Sequence, residues 1–135
     1  MKIYFATSIR GSAVNDVDNK GIIEHLRKYG DVLTEHFSDL KDEGETELND
    51  KEIHDRDLNW IDECDAIVAE VTNPSLGVGY ELRYGLENGK RILCVKKNNG
   101  KKLSAMISGC DYFEIDEYGS LNELEAVFSD FFEIR

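Results

Sequence analysis

The chain has 135 residues, 41% of them hydrophobic and 33% charged, with a single proline, a composition that fits one ordinary globular domain and weighs against a disordered or fibrous chain. Its formal net charge of −12 argues against a nucleic-acid polymer as partner, because such binding rests on a basic footprint that neutralises phosphates. Cys64, Cys94 and Cys110 form no Cys-x-x-Cys pair and no histidine stands near them at zinc spacing, and no apolar run approaches the roughly 20 residues of a membrane span. The expectation is a reduced, cytoplasmic chain with no signal peptide, no membrane partner and no metal.

In chain order, KIYFAT at 2–7 predicts a buried strand and SIRGSA its polar exit loop. Residues 18–29 predict a helix with Ile22, Ile23, Leu26 and Tyr29 on one face and Gly30 as its stop. DVLTEHF at 31–37 predicts a second strand. The acidic stretch 38–50 is a loop of the length at which lids occur, or a plain solvated connection. A helix is expected over 50–64, a third buried strand at 66–71, and a glycine turn, NPSLGVG, leading into a helix that opens near Glu81 and ends near Gly89. RILCVKK at 91–97 predicts a fourth strand. After the short LSAMISG come a fifth strand, YFEID at 112–116, and an amphipathic helix over 120–132.

Strands apolar on both faces and alternating with helices predict an α/β fold with a parallel sheet covered on both sides. Such sheets bind ligands at the carboxyl ends of their strands. Those ends carry Ser8 and Arg10, His36, the TNPSLGVG turn and NNGKKLS. SIRGS offers hydroxyls, a guanidinium and backbone N–H groups that suit a phosphate, or an ordinary polar loop.

Two carboxylates stand out. On the 50–64 helix the apolar stripe Ile53, Trp60, Ile61 and Cys64 includes Asp57, and a carboxylate on a core-facing stripe is costly unless it is paired or lines a pocket. A slight rotation, with Leu58 inward and Asp57 at the solvent edge, is the alternative. Glu81 reads either as a first-turn glutamate complementing its helix dipole or as a site group. Elements flanking one strand carry both, and paired carboxylates are the usual equipment for cleaving glycosidic bonds. Tyr4, in a strand built for the core, has a hydroxyl that needs a partner. His36 and His54 have no serine or cysteine that the sequence places beside them.

The segments IYFATSIRG, VLTEH, IHDRDLNWIDECDAIVAEVTNPSLGVGYEL, KRILCV and LSAMISG together resemble the 2′-deoxynucleoside 5′-phosphate N-hydrolases, relatives of the nucleoside 2-deoxyribosyltransferases. The resemblance spans nearly the whole chain, least well at the acidic loop and the last helix. It implies a flavodoxin-like, doubly wound five-stranded parallel sheet in a single domain, a homodimer, and cleavage of the N-glycosidic bond of a nucleoside 5′-monophosphate without cofactor or metal. Glu81 would be the nucleophile, Asp57 the acid for the departing base, and Tyr4 the group that orients Glu81.

By the same resemblance Ser8, Arg10, Gly11, Ser75 and Gly77 would hold the phosphate, with Ser104 donated across the interface. Ile9, His36 and Met106 complete the implied substrate-binding set. The phosphate donors favour the hydrolases over the transferases, which act on unphosphorylated nucleosides, and Tyr4 tilts the reading toward deoxyribose. A ribonucleotide glycosidase of the CMP type and an idle nucleotide sensor are the competing readings. A flavin or phosphoacceptor domain fits less well, since the first loop lacks the hydroxyl run and the acidic cluster these need. Arg83, two residues after Glu81, is expected to point outward, because i and i+2 do not share a helical face.

Overall fold

The structure is a computed structural model and describes residues 1–8, 17–35 and 47–133. Five strands, β1 (Lys2–Thr7), β2 (Asp31–Val32), β3 (Ala66–Glu70), β4 (Arg91–Lys97) and β5 (Glu114–Tyr118), alternate with helices. They pair in the order β2-β1-β3-β4-β5, every pair parallel. This is the flavodoxin-like order, which puts a topological switch point between β1 and β3.

Alternation along each strand divides the core in two. Ile3, Phe5, Val68, Leu93 and Val95 face α1 (Asn19–Leu26) and α5 (Leu121–Glu133), which contribute Ile22, Ile23, Leu26, Leu124, Phe128 and Phe131. On the other face Tyr4, Ala6, Ile67, Ala69, Ile92 and Cys94 meet Ile61 of α2 (Asp50–Glu63) and Val78 and Leu82 of α3 (Leu76–Glu87). A one-turn helix, α4 (Ala105–Ser108), packs Ile107 against that second face.

Most expected elements are present, with two shifts among the strands. The second strand pairs only over Asp31–Val32 before the chain turns at Leu33 and Thr34; Thr34, fully buried, instead bonds both Phe5 N and Phe5 O through its hydroxyl. The fifth strand lies two residues later than the apolar pair Tyr112–Phe113 suggested, because those residues form a turn ahead of the ladder, in which Phe113 N donates to Cys110 O. Gly30 serves close approach: a Cβ there would stand 2.2 Å from Met1 O, and Asp31 N donates to that same carbonyl.

α2 opens on a capping box between Asn49 and Glu52. α3 ends before Gly89, which takes the positive φ expected after a helix. All three cysteines are free, and burial pushes the Cys64 and Cys94 thiols up to about 11 and about 12. No helix among the described residues is long and apolar enough to cross a membrane.

Candidate active site

The carboxyl ends of β1 and β3, with the starts of α2 and α3, enclose a cavity of about 570 Å³ lined by Ser8, Arg56, Asp57, Ser75, Gly77 and Glu81 among others. A second hollow of about 310 Å³, walled by Leu58 and Tyr80, shares His54, Asp57, Leu76, Gly77 and Glu81 with it. The two carboxylates therefore stand where a hydroxyl-rich lobe and an apolar lobe meet.

Glu81 does not open its helix. Ser75 caps α3, its hydroxyl accepting from Val78 N at 3.2 Å, so the helix begins at Leu76 and takes in both Gly77 and Gly79. Glu81 is the sixth helical residue, beyond the first turn where a side chain complements the dipole. The two glycines misled the pattern; the serine followed by an apolar helical run was the truer signal. Gly77 leaves its surroundings open, since a Cβ there would meet nothing nearer than Ser75 Oγ at 3.8 Å.

Tyr4 is fully buried on the face of β1 that α2 and α3 cover, and its hydroxyl donates to Glu81 Oε2. Burial pushes the Glu81 carboxyl up to about 7; the Tyr4 hydrogen bond and the Arg56 charge oppose that rise, and the Asp57 charge adds to it. Burial, then the charges of Glu81 and Asp57, hold the Tyr4 phenol far above its ordinary range. Tyr4 thus remains a donor at every physiological pH, and Glu81 is a carboxyl that titrates near neutrality.

Asp57 lies on the inner side of α2, its side chain 14% exposed, and lines both lobes. Its Oδ1 accepts from Arg56 Nη2 at 2.8 Å and from Arg56 Nε at 3.0 Å. Leu58 does turn inward and packs against the core, but Asp57 does not stand at the solvent edge. Arg56 was missed because it sits off the apolar stripe; its signal was Trp60 four residues on, over whose ring the guanidinium lies at 4.6 Å. His54 was left without a partner by the sequence; its Nε2 shares a hydrogen bond with the Tyr80 hydroxyl and its Nδ1 one with Asp55, each at 2.9 Å.

Of the other expected residues, Ser8 and Ser75 line the larger lobe. Ile9, Arg10, Gly11 and His36 lie outside the described residues. Ser104 and Met106 are not at this cavity within one chain: they border a separate hollow of about 380 Å³ on the other side of Ser75 and Leu76, and Ser104 Oγ accepts from Met106 N. Arg83 points outward, 70% exposed and paired with Glu87. Among the described residues no three His, Cys, Asp or Glu side chains gather as metal ligands.

Behind the site, Glu70 at the end of β3 is buried and accepts from Thr72 N, the Thr72 hydroxyl and the Tyr118 hydroxyl at 2.7, 2.8 and 2.5 Å. The Thr72 hydroxyl accepts in turn from Lys97 N. This network ties the Thr72–Ser75 turn to β4 and β5 and fixes where α3 starts.

Residues 3–123 match the family described as nucleoside 2-deoxyribosyltransferase. The chain belongs to that family. Within it, the chain is 48% identical over 139 aligned residues to a 5-hydroxymethyl-dUMP N-hydrolase of Danio rerio, covering 98% of this chain and 96% of the relative. It is 42% identical to the protein of that name from Homo sapiens, covering 97% and 79%. Among solved structures, a Clostridium botulinum CMP N-glycosidase superposes with a TM-score of 0.66 at 17% identity, covering 96% of this chain and 99% of that one. A 2-deoxyribosyltransferase of Bacillus psychrosaccharolyticus gives 0.65 at 19% identity, covering 93% and 90%. These two likenesses concern the fold that nucleoside 2-deoxyribosyltransferase family members share.

Proposed function

We propose that this protein is a nucleotide N-glycosidase that hydrolyses the N-glycosidic bond of deoxyribonucleoside 5′-monophosphates, releasing free base and deoxyribose 5-phosphate. The observation that carries the reading is the pair of carboxylates, Glu81 held by the Tyr4 hydroxyl and Asp57 beside it, at the junction of a hydroxyl-lined lobe and an apolar one. The names of the relatives supply the substrate class.

In this reading the sugar phosphate enters the lobe of Ser8, Ser75 and Gly77, where the first N–H groups of α3 have no intrahelical acceptor and face the anion. The family resemblance would add Arg10 and Gly11 to the phosphate-binding groups and Ile9 and His36 to the substrate-binding set. The base enters the apolar lobe beside Leu58 and Tyr80. An oxygen of ionised Glu81 attacks C1′, forming an ester as the C1′–N bond breaks and its electron pair departs with the base. Asp57, protonated at this point, gives its proton to the departing base. Water then attacks C1′, passing a proton to Asp57 and freeing Glu81, so that two easier displacements replace one difficult one.

The assembly is a homodimer in the cytoplasm, where the free thiols stay reduced. Leu76, Tyr80 and Met106 are 97%, 56% and 82% exposed, and these exposed apolar side chains favour a second copy, through which Ser104 and Met106 reach the partner's site. Chromatography of free base released from a panel of deoxyribo- and ribonucleoside monophosphates and nucleosides, with Glu81→Gln alongside, tests the activity. Release from deoxynucleotides that the variant lacks is the expected result. Reaction of nucleosides only when a second base is added would make the protein a transferase, and silence throughout would make it a sensor.

A further inference from the structure

Resting on that reading of the site, we infer that Arg56 is a positioning residue: braced on Trp60, it fixes Asp57 and sets how the two carboxylates share their charge. The geometry is specific. Nε and Nη2 of the guanidinium both donate to the same Asp57 oxygen, at 3.0 and 2.8 Å, while its Cζ lies 4.6 Å from the Trp60 ring centre. One cation thus has two anchors on one helix, and the pair is sheltered, Arg56 and Asp57 being 23% and 14% exposed. A fork that both stacks and donates through two nitrogens is a task for arginine and not for lysine.

The charge matters because Glu81 faces a second carboxylate, Asp57. Among the described residues, the titratable and charged groups around the cavity besides Glu81 are Tyr4 from β1 and Asp50, His54, Arg56 and Asp57 from α2, and Arg56 is the one permanent cation of that set. Two carboxylates facing one cavity do not titrate independently. Whenever Asp57 is ionised, the Arg56 charge offsets part of the repulsion that would keep a proton on Glu81. It also acts on Glu81 directly, opposing the upward push of burial. Asp57 meanwhile keeps a fixed orientation toward the departing base. Neither duty requires Arg56 to touch the substrate.

The test compares Arg56→Gln and Arg56→Lys in the full-length protein. The side-chain carboxyl of Glu81 is titrated by carbon NMR without substrate, and kcat and KM for a deoxynucleoside monophosphate are followed against pH. Arg56→Gln is expected to move the Glu81 titration and the acidic limb of kcat/KM upward by about half a unit to one unit. It should lower kcat about tenfold at neutral pH, with KM changed less than about threefold. Arg56→Lys, which keeps the charge without the fork, should restore the titration but not the full rate. An unmoved titration with an unchanged kcat in Arg56→Gln would overturn the inference. So would a KM that rises for nucleotides and not for nucleosides, since Arg56 would then bind the phosphate itself. If the unaltered protein released no base, the proposed activity would fail, while the NMR titration would still decide the role of Arg56.

Discussion

Replacing Tyr4 with phenylalanine removes one oxygen from the centre of the site and leaves the packing of β1 unchanged. The ring is fully buried, and the lost hydroxyl is the donor that favours the ionised form of Glu81. A hydrogen bond to a charged group contributes about 1.5–3 kcal/mol, or about one to two pKa units on the carboxyl that loses it. Glu81, at about 7 with the hydroxyl present, would then titrate at roughly 8 to 9. At pH 7 the ionised fraction would fall from about a half to between about a tenth and a hundredth, so kcat/KM should drop about 5- to 50-fold. Raising the pH to 9 should recover most of that loss. The assay is the pH profile of base release from one deoxynucleoside monophosphate, with Tyr4→Phe and the unaltered protein run side by side. An equal deficit at pH 7 and pH 9 would refute the argument, because Tyr4 would then act through shape or contact with the sugar and not through the charge of Glu81.

Glu81→Gln should abolish base release and also change stability with pH. The folded carboxyl titrates near 7, above its ordinary 4.5, so its ionisation opposes folding and the native protein loses stability as pH rises between those values. The glutamine variant should therefore gain up to about 3 kcal/mol over the parent above pH 7 and nothing below pH 4.5, read by urea unfolding at pH 4 and pH 8. Two glycines of α3 should behave in opposite ways. Gly85→Ala would place a Cβ 2.3 Å from Ile67 Cδ1, costing about 1–3 kcal/mol by overpacking and lowering the melting temperature. Gly77→Ala meets only Ser75 Oγ, at an ordinary contact distance of 3.8 Å, so thermal stability should hold while KM rises for nucleotides and not for nucleosides. Ser104→Ala and Glu81→Gln, each impaired alone, should recover about a quarter of full activity when their subunits are mixed and exchanged, if each site borrows Ser104 from its partner. No recovery, with the dimer intact by sedimentation, would place Ser104 outside the site.

The parallel sheet was legible because strands buried on both faces announce themselves as unbroken apolar runs, whereas its flavodoxin-like order came only with the family resemblance. Thus β1, β3 and β4 agree with their sequence boundaries to within a residue. β2 was overextended because Leu33 and Thr34 have strand character, yet Thr34 spends its hydroxyl on β1 and the chain leaves the ladder. The start of α3 was placed too late because glycines signal turns, and only the Ser75 cap shows that these two are helical. Asp57 could be suspected from an apolar stripe that it interrupts. Arg56 could not, since its importance lies in a stacking partner one turn away and a carboxylate next in sequence, contacts that helical periodicity does not encode.

The margins of the sheet bear on how copies of this protein can associate. One margin is β2, only two residues long; the other is β5, whose sequence is Glu-Ile-Asp-Glu-Tyr. A short strand offers an incoming chain few backbone groups to pair with, and a row of carboxylates repels its own copy across a shared ladder. Growth by adding sheet to sheet is blocked at both ends, which protects a chain rich in β-prone runs from fibrillar assembly. The homodimer proposed above, meeting through the exposed apolar side chains of α3 and α4, would leave undisturbed the strands that hold Tyr4 in place.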